Sequence, residues 1–168
     1  VQLSSADLLG IKSQYSKGLA SSVNTTYITL QASAIRDVFG TDVLAITNGR
    51  GIQVRNYVRD ATSPILVYSA FDRNQGVLNL TFSDFPDPAT ITFAKISIKN
   101  SNGSTPLSQI LSQSPVAVSQ DGFTTSIYLT SADLNQIKAT PNLASNDNNT
   151  YISLAAGFVS DYFGNSSL

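Results

Sequence analysis

The side chains able to do acid-base or nucleophilic chemistry in this 168-residue sequence are Asp, Lys, Tyr, Ser and Thr. It has no His, Cys, Met or Trp, and its eleven acidic residues are all Asp. Without His or Cys there is no Ser-His-Asp triad, no thiolate nucleophile, no Cys or His metal site and no haem ligand. Asp84 and Asp87, in Ser-Asp-Phe-Pro-Asp-Pro, offer hard oxygen ligands for Ca²⁺, as do Asp37, Asp60 and Asp161. The same carboxylates serve as turn formers that bond nearby amides beside Pro86 and Pro88, and no run resembles D-x-D-x-D-G. A glycosidase would need two carboxylates facing each other across a cleft, often Glu, and spacing neither picks out nor excludes an Asp pair. The expectation is a protein that is not an enzyme, with no catalytic residue, no metal site and no cofactor beyond covalent glycans.

The glycan expectation comes from five Asn-x-Ser/Thr sequons, at Asn24, Asn79, Asn102, Asn148 and Asn165, none with Pro in the middle. A chain this rich in Ser, Thr and Asn, 52 residues of 168, produces some sequons by chance, so composition explains part of the number. Hydroxyls in Thr62-Ser63-Pro64 and the Ser-rich stretches are candidates for O-linked sugars. Tyr27 and Tyr151 fall on the strand face opposite their aliphatic neighbours, as a sugar-binding platform or as packing against another module or a glycan. Arg50, Arg55 and Arg59 form a small basic cluster that reads as a solvated face.

Whatever carries these groups is a folded domain, because 42% hydrophobic content at this length can bury a core. Charged residues make up only 12%, and the net charge of −1 argues against nucleic acid as a partner, since phosphate neutralisation needs a surplus of Lys and Arg. No apolar run approaches the roughly 18 residues of a membrane span, and the N-terminus lacks the charged-then-apolar pattern of a signal peptide. The expectation is a soluble chain, with any targeting segment removed or outside it. The lack of cysteine weakens an extracellular reading and the sequons favour one.

Self-similarity is the strongest signal. VQLSSADLLGIK at residues 1–12 matches IYLTSADLNQIK at 127–138 with an offset of 126. At an offset of 124, LASSVNTTYITL from Leu19 pairs with LASNDNNTYISL from Leu143, and IRDVFG from Ile35 with VSDYFG from Val159. The chain thus holds two copies of one module, expected as residues 1–60 (the C-terminal part of a module plus linker) and 61–168 (a second module lacking its final strand). Leu78, Leu80 and Phe82 alternate with Val77, Asn79 and Thr81, which predicts a strand with the Asn79 sequon outward. Ala94, Ile96 and Ile98 alternate in the same way. Further strands are expected over 65–69, 123–129 and 151–154, and in the first copy over 27–30, 43–47 and 52–58. Ser131-Ala-Asp-Leu-Asn-Gln-Ile-Lys138 and its counterpart at 5–12 predict one short helix per copy, with Asp near the N-terminus and apolar residues three apart. Short alternating strands between Gly, Asn, Asp and Pro turns indicate a mainly β, antiparallel sandwich.

The runs DATSPILVYSAFDRNQGVLNLTFSD, SADLNQIK and NTYISLAAGFVSDYFGN resemble the tandem Ig-like domains of bacterial S-layer type and their relatives in large extracellular proteins of aquatic protists and simple animals. Asp60 and Pro64 match that family's linker, Leu80 to Ser83 its "LTFS" strand, and Asp161, Gly164 and Asn165 its closing turn. In the first copy Gly40 is followed by Thr41 rather than Asn, a departure from the closing pattern. The resemblance implies Ig-like modules in an extended structural, adhesive or surface-layer role, with no catalytic residues to carry over. The expected function is therefore a structural subunit of an extracellular or cell-surface glycoprotein fibril, with a cell-adhesion or carbohydrate-binding module as the alternative. Incomplete copies and opposite charge point to self-association head to tail as a filament: residues 1–60 hold six basic and four acidic groups, residues 61–168 four basic and seven acidic. Strand donation between protomers and a continuous polypeptide of many repeats are both open routes.

Overall fold

The structure is a computed structural model that describes residues 2–167. It is mainly β, with antiparallel sheets and two α-helices, α1 at Ser5–Lys12 and α2 at Ser131–Ala139. The chain divides into two units, one spanning Gly10–Asp60 and the other combining the residues through Leu9 with those from Ala61 onward.

The smaller unit holds a two-stranded ladder, β1 at Tyr27–Ile28 against β2 at Ile52–Gln53, in the register Tyr27 to Gln53 and Ile28 to Ile52. The sequence predicts longer strands over 43–47 and 52–58; the structure has isolated antiparallel bridges between Leu30 and Ile46 and between Arg36 and Asp42 instead. The physical reason is the lack of a surface to pleat against. β-branched residues favour strands on a half-buried sheet, and a lone two-stranded ladder is marginal in water. No residue of Gly10–Asp60 is buried.

The larger unit has two sheets around one core. The first runs β3 (Leu66–Asp72), β4 (Val77–Phe82), β8 (Thr124–Tyr128), β7 (Val116–Val118), and the second β6 (Ser108–Ile110), β5 (Ile96–Lys99), β9 (Tyr151–Leu154), with every pairing antiparallel. The period of two places Leu78, Leu80 and Phe82 from β4 against Ile96 and Ile98 from β5, with Ile127, Ile137, Leu143, Phe158 and Val159 closing the cluster. The expected strand at 94–99 begins only at Ile96, because Phe93–Lys95 form a 3₁₀ turn that leaves Ala94 exposed. β6 and β7 were not foreseen, since three residues between Ser and Pro turns are too few to show an alternation.

The β3 to β4 connection is set by Asp72, whose carboxylate accepts from the Asn74 and Gln75 amides at 2.8 and 2.9 Å. The β7 to β8 turn needs Gly122, at φ +81°: a Cβ there would stand 2.7 Å from Phe85 Cδ1 and 2.8 Å from Leu9 Cδ2. That turn sits beside the stacked rings of Phe85 and Phe123, 4.6 Å apart.

Candidate assembly interface

β9 is an edge strand with one side in use. Its register with β5 pairs Ser153 with Ser97 and Tyr151 with Lys99, and just beyond it the Ala155 amide donates to the Lys95 carbonyl at 2.9 Å. Alternation along an antiparallel ladder then turns the backbone groups of Tyr151 and Ser153 toward β5 and those of Ile152 and Leu154 away from it. Among the described residues no strand pairs with that outer side. Beside it lies a mostly apolar groove of about 270 Å³ lined by Pro64, Ile65, Leu66, Ile152, Leu154 and Phe158, with Ser167. An open edge next to an apolar groove is a template for an added strand.

The first copy shows the same strand with that side occupied. β1 is the repeat counterpart of β9 at the 124 offset. Leu30, counterpart of Leu154, exchanges two backbone hydrogen bonds with Ile46, at 3.1 and 2.8 Å, and the Thr26 carbonyl accepts from Val54 N–H at 3.1 Å. Thr26, Ile28 and Leu30 therefore use the side whose counterparts in the second copy, Thr150, Ile152 and Leu154, face outward.

Local geometry is otherwise nearly identical in the two copies. Ser4 and Asp7 cap α1 as Thr130 and Asp133 cap α2, each amide-to-hydroxyl bond measuring 3.1 Å. Ala20 and Ala144 are both left-handed, at φ 47° and 50°. Asp37 accepts from the Phe39 and Thr41 amides at 2.9 and 2.8 Å, and Asp161 from Phe163 and Asn165 at 2.9 and 2.7 Å, around Gly40 and Gly164, both at φ 84°. The tertiary surroundings differ. Leu143 and Val159 are each 1% exposed, whereas their counterparts Leu19 and Ile35 are 49% and 51% exposed. Asp133 is buried and binds β6 and its following turn, while Asp7 is exposed. The first copy carries the local code of the module without the strands that cover it in the second.

Of the candidate carboxylates, Asp37, Asp84, Asp87 and Asp161 accept from main-chain amides close by in sequence. Asp84 accepts from the Phe85 amide at 2.8 Å, and Asp87 caps the 3₁₀ turn Pro88–Thr90 through the Ala89 amide at 3.0 Å. Asp161 also takes Asn165 Nδ2 at 2.8 Å, and Lys12 pairs with Asp60 at 2.5 Å. The Thr41 amide, aided by Phe39 and Gly40, holds the Asp37 carboxyl below its ordinary value of 3.8. A depressed value means the turn's stabilisation is complete above the unfolded value and is lost as pH falls through the folded one. An NMR titration of the Phe39 and Thr41 amide shifts should give a midpoint below 3.8.

Asn24, Asn102 and Asn148 are exposed. Asn79 lies on the face of β4 away from the core, as the alternation predicts, but it is half-buried, and its Oδ1 accepts from Ser126 Oγ at 2.7 Å. Asn165 is half-buried too. Tyr27 and Tyr151 are exposed, as are Arg50, Arg55 and Arg59. No helix among the described residues is long and apolar enough to cross a membrane. Sequence reasoning missed the groove, because Pro64 to Leu66 and Ile152 to Phe158 meet only through the sheet topology. Searches against protein-family models, curated proteins and solved structures returned no match.

Proposed function

We propose that this chain is a structural subunit of an extracellular glycoprotein fibre or surface layer, assembled head to tail from Ig-like modules. The observation that carries this reading is that one module's local geometry occurs twice in the chain, with matching helix caps, left-handed Ala20 and Ala144, and matching Asp37 and Asp161 turns. Strand order supports the Ig-like assignment. β3-β4-β8-β7 follows the A-B-E-D order and β6-β5-β9 the C′-C-F order of an Ig sandwich, in which strand G would flank F. By that correspondence β1 and β2 are an F and G pair. The exposed Asn24, Asn102 and Asn148, two of them repeat counterparts, support attached glycans, with Asn79 and Asn165 as further sites. The Asp carboxylates act as turn formers in this reading, and no residue has a catalytic role.

Electron microscopy of native material tests it directly: fibres or a lattice are expected, and dispersed single particles at all concentrations would refute it. Intact mass should exceed the bare 17.9 kDa and fall on enzymatic deglycosylation, with a fully unmodified chain refuting the glycoprotein part. A second reading, adhesion through carbohydrate, is favoured by a polar cleft of about 510 Å³ that includes Tyr68, Arg73, Asn146 and Asp147. Saturable binding on a glycan array would select it over a purely structural role.

A further inference from the structure

We infer that the face of the β3-β4-β8-β7 sheet turned away from the core is the seat of a glycan on Asn79, attached before the sheet forms, whose first pyranose ring lies over Ala70 against the ring of Tyr68. This rests on the glycoprotein part of the reading above and fixes where one sugar sits. The period of two along β4 buries Leu78 and Leu80 and turns Asn79 to the opposite face. Register then sets its neighbours on that face. Ala70 of β3 and Ser126 of β8 stand directly opposite Asn79, and Tyr68 and Tyr128 are its diagonal neighbours, close enough for an aromatic side chain to reach.

One hydrogen bond chooses between the two tyrosines. Ser126 Oγ donates to Asn79 Oδ1 at 2.7 Å, which ties the carbonyl half of the amide to β8 and turns Nδ2, the atom that carries an N-linked sugar, toward β3. There Ala70 is small enough to leave room above it, and Tyr68 is 63% exposed. The face of an aromatic ring is negative, so it attracts the polarised C–H groups on the flat side of a pyranose.

The order of events follows from the strand pairing. Phe82 N–H donates to the Phe123 carbonyl at 2.9 Å, so alternation along β4 points the Asn79 backbone groups at β3, where they pair with Ala70. Thr81, the hydroxyl residue of the sequon, is held by Thr124 at 3.0 Å. A transferase that must reach both side chains therefore has access only while β4 is unpaired. In the transfer Nδ2 bonds to the anomeric carbon of a sugar carried on a polyprenyl pyrophosphate. The bond from that carbon to the phosphate oxygen breaks, the pyrophosphate leaves with the electron pair, and Nδ2 gives up one proton.

Native material treated with a glycoamidase in heavy-oxygen water reads each site, because hydrolysis at Nδ2 leaves a labelled Asp. Asn24, Asn102 and Asn148 are exposed and should be released from the folded chain, with Asn79 about tenfold slower, since it waits for local opening of the sheet. After denaturation all should be released. In NMR spectra of the folded glycoprotein, protons of one sugar ring should be shifted upfield by ring current. Tyr68→Ala should abolish that shift, while Tyr68→Phe and Tyr128→Ala keep it, and the exposure of both tyrosines means that neither change opens a core. Glycans on the exposed sites with a bare Asn79 would overturn the inference and leave the glycoprotein reading standing, whereas a chain with no glycan at all would sink both. A glycan on Asn79 with unshifted protons, or a shift lost in Tyr128→Ala instead, would overturn the seat on Tyr68. Transfer in vitro to Asn79 of the folded, unmodified chain as fast as to Asn148 would overturn the order of attachment and folding.

Discussion

Asp133→Ala should destabilise the larger unit by about 3–5 kcal/mol, while Asp7→Ala at the repeat-equivalent position should cost no more than about 1 kcal/mol. Asp133 is 3% exposed and its carboxylate accepts from Gln109 Nε2 at 3.0 Å, the Ser112 amide at 2.8 Å, Ser112 Oγ at 3.2 Å and Thr130 Oγ1 at 3.0 Å. It therefore joins the start of α2 to β6 and the residues that follow it. Hydrogen bonds to a charged group contribute roughly 1.5–3 kcal/mol each, and they do not add fully when one group makes several. Truncation also takes this acceptor from the half-buried Gln109 and Thr130, while the exposed Ser112 can turn to solvent. Among the described residues Asp7's carboxylate has the local partner Ser4 Oγ, at 2.6 Å, and solvent can replace what it loses. Thermal unfolding followed by circular dichroism should show a melting point lower by about 10–20 °C for Asp133→Ala. Equal small shifts for both variants would mean that Asp133 does not hold β6 in place.

The pair Asp7 and Asp133 also shows what a sequence can and cannot reveal. Both helices, their Ser or Thr caps and the Asp-x-x-Gly turns are written in residues close together in the chain, so matching sequence gave matching geometry in both copies. β4 was readable from Leu78, Leu80 and Phe82, because alternation survives wherever one face of a strand is buried. The strands expected over 43–47 and 52–58 carry similar apolar content, yet form only a bridge and a two-residue ladder. Their propensity needs a sheet beneath it, and Gly10–Asp60 does not supply one. β6 and β7 are the reverse case, short segments recruited by neighbours rather than by pattern. The site was legible in one respect: the repeat arithmetic paired Tyr27 with Tyr151 and so β1 with β9. Which backbone groups point outward from β9, and the groove beside them, follow only from the pairing of β9 with β5.

Leu143→Ala should cost about 2–4 kcal/mol in the dilute chain, and Leu19→Ala should stay within about 0.5 kcal/mol of the parent. Leu143 is 1% exposed within the common core, so truncation removes buried methyl groups and leaves a cavity that its neighbours fill only in part. Leu19 occupies the same place in the repeat and follows the same left-handed Ala turn, but at 49% exposed it has little burial to lose. The comparison becomes a probe of assembly when repeated on fibres. A face that is apolar, matched to a core in its counterpart and left open in the single chain gains roughly 25 cal/mol per Å² when another surface covers it. If a neighbouring protomer covers Gly10–Asp60, Leu19→Ala should lower the stability of the fibre against dilution or heat while leaving the isolated chain unchanged. Were Leu19→Ala neutral in both states, the open face of the first copy would have no part in the contact, and assembly would rest on the edge of β9 alone.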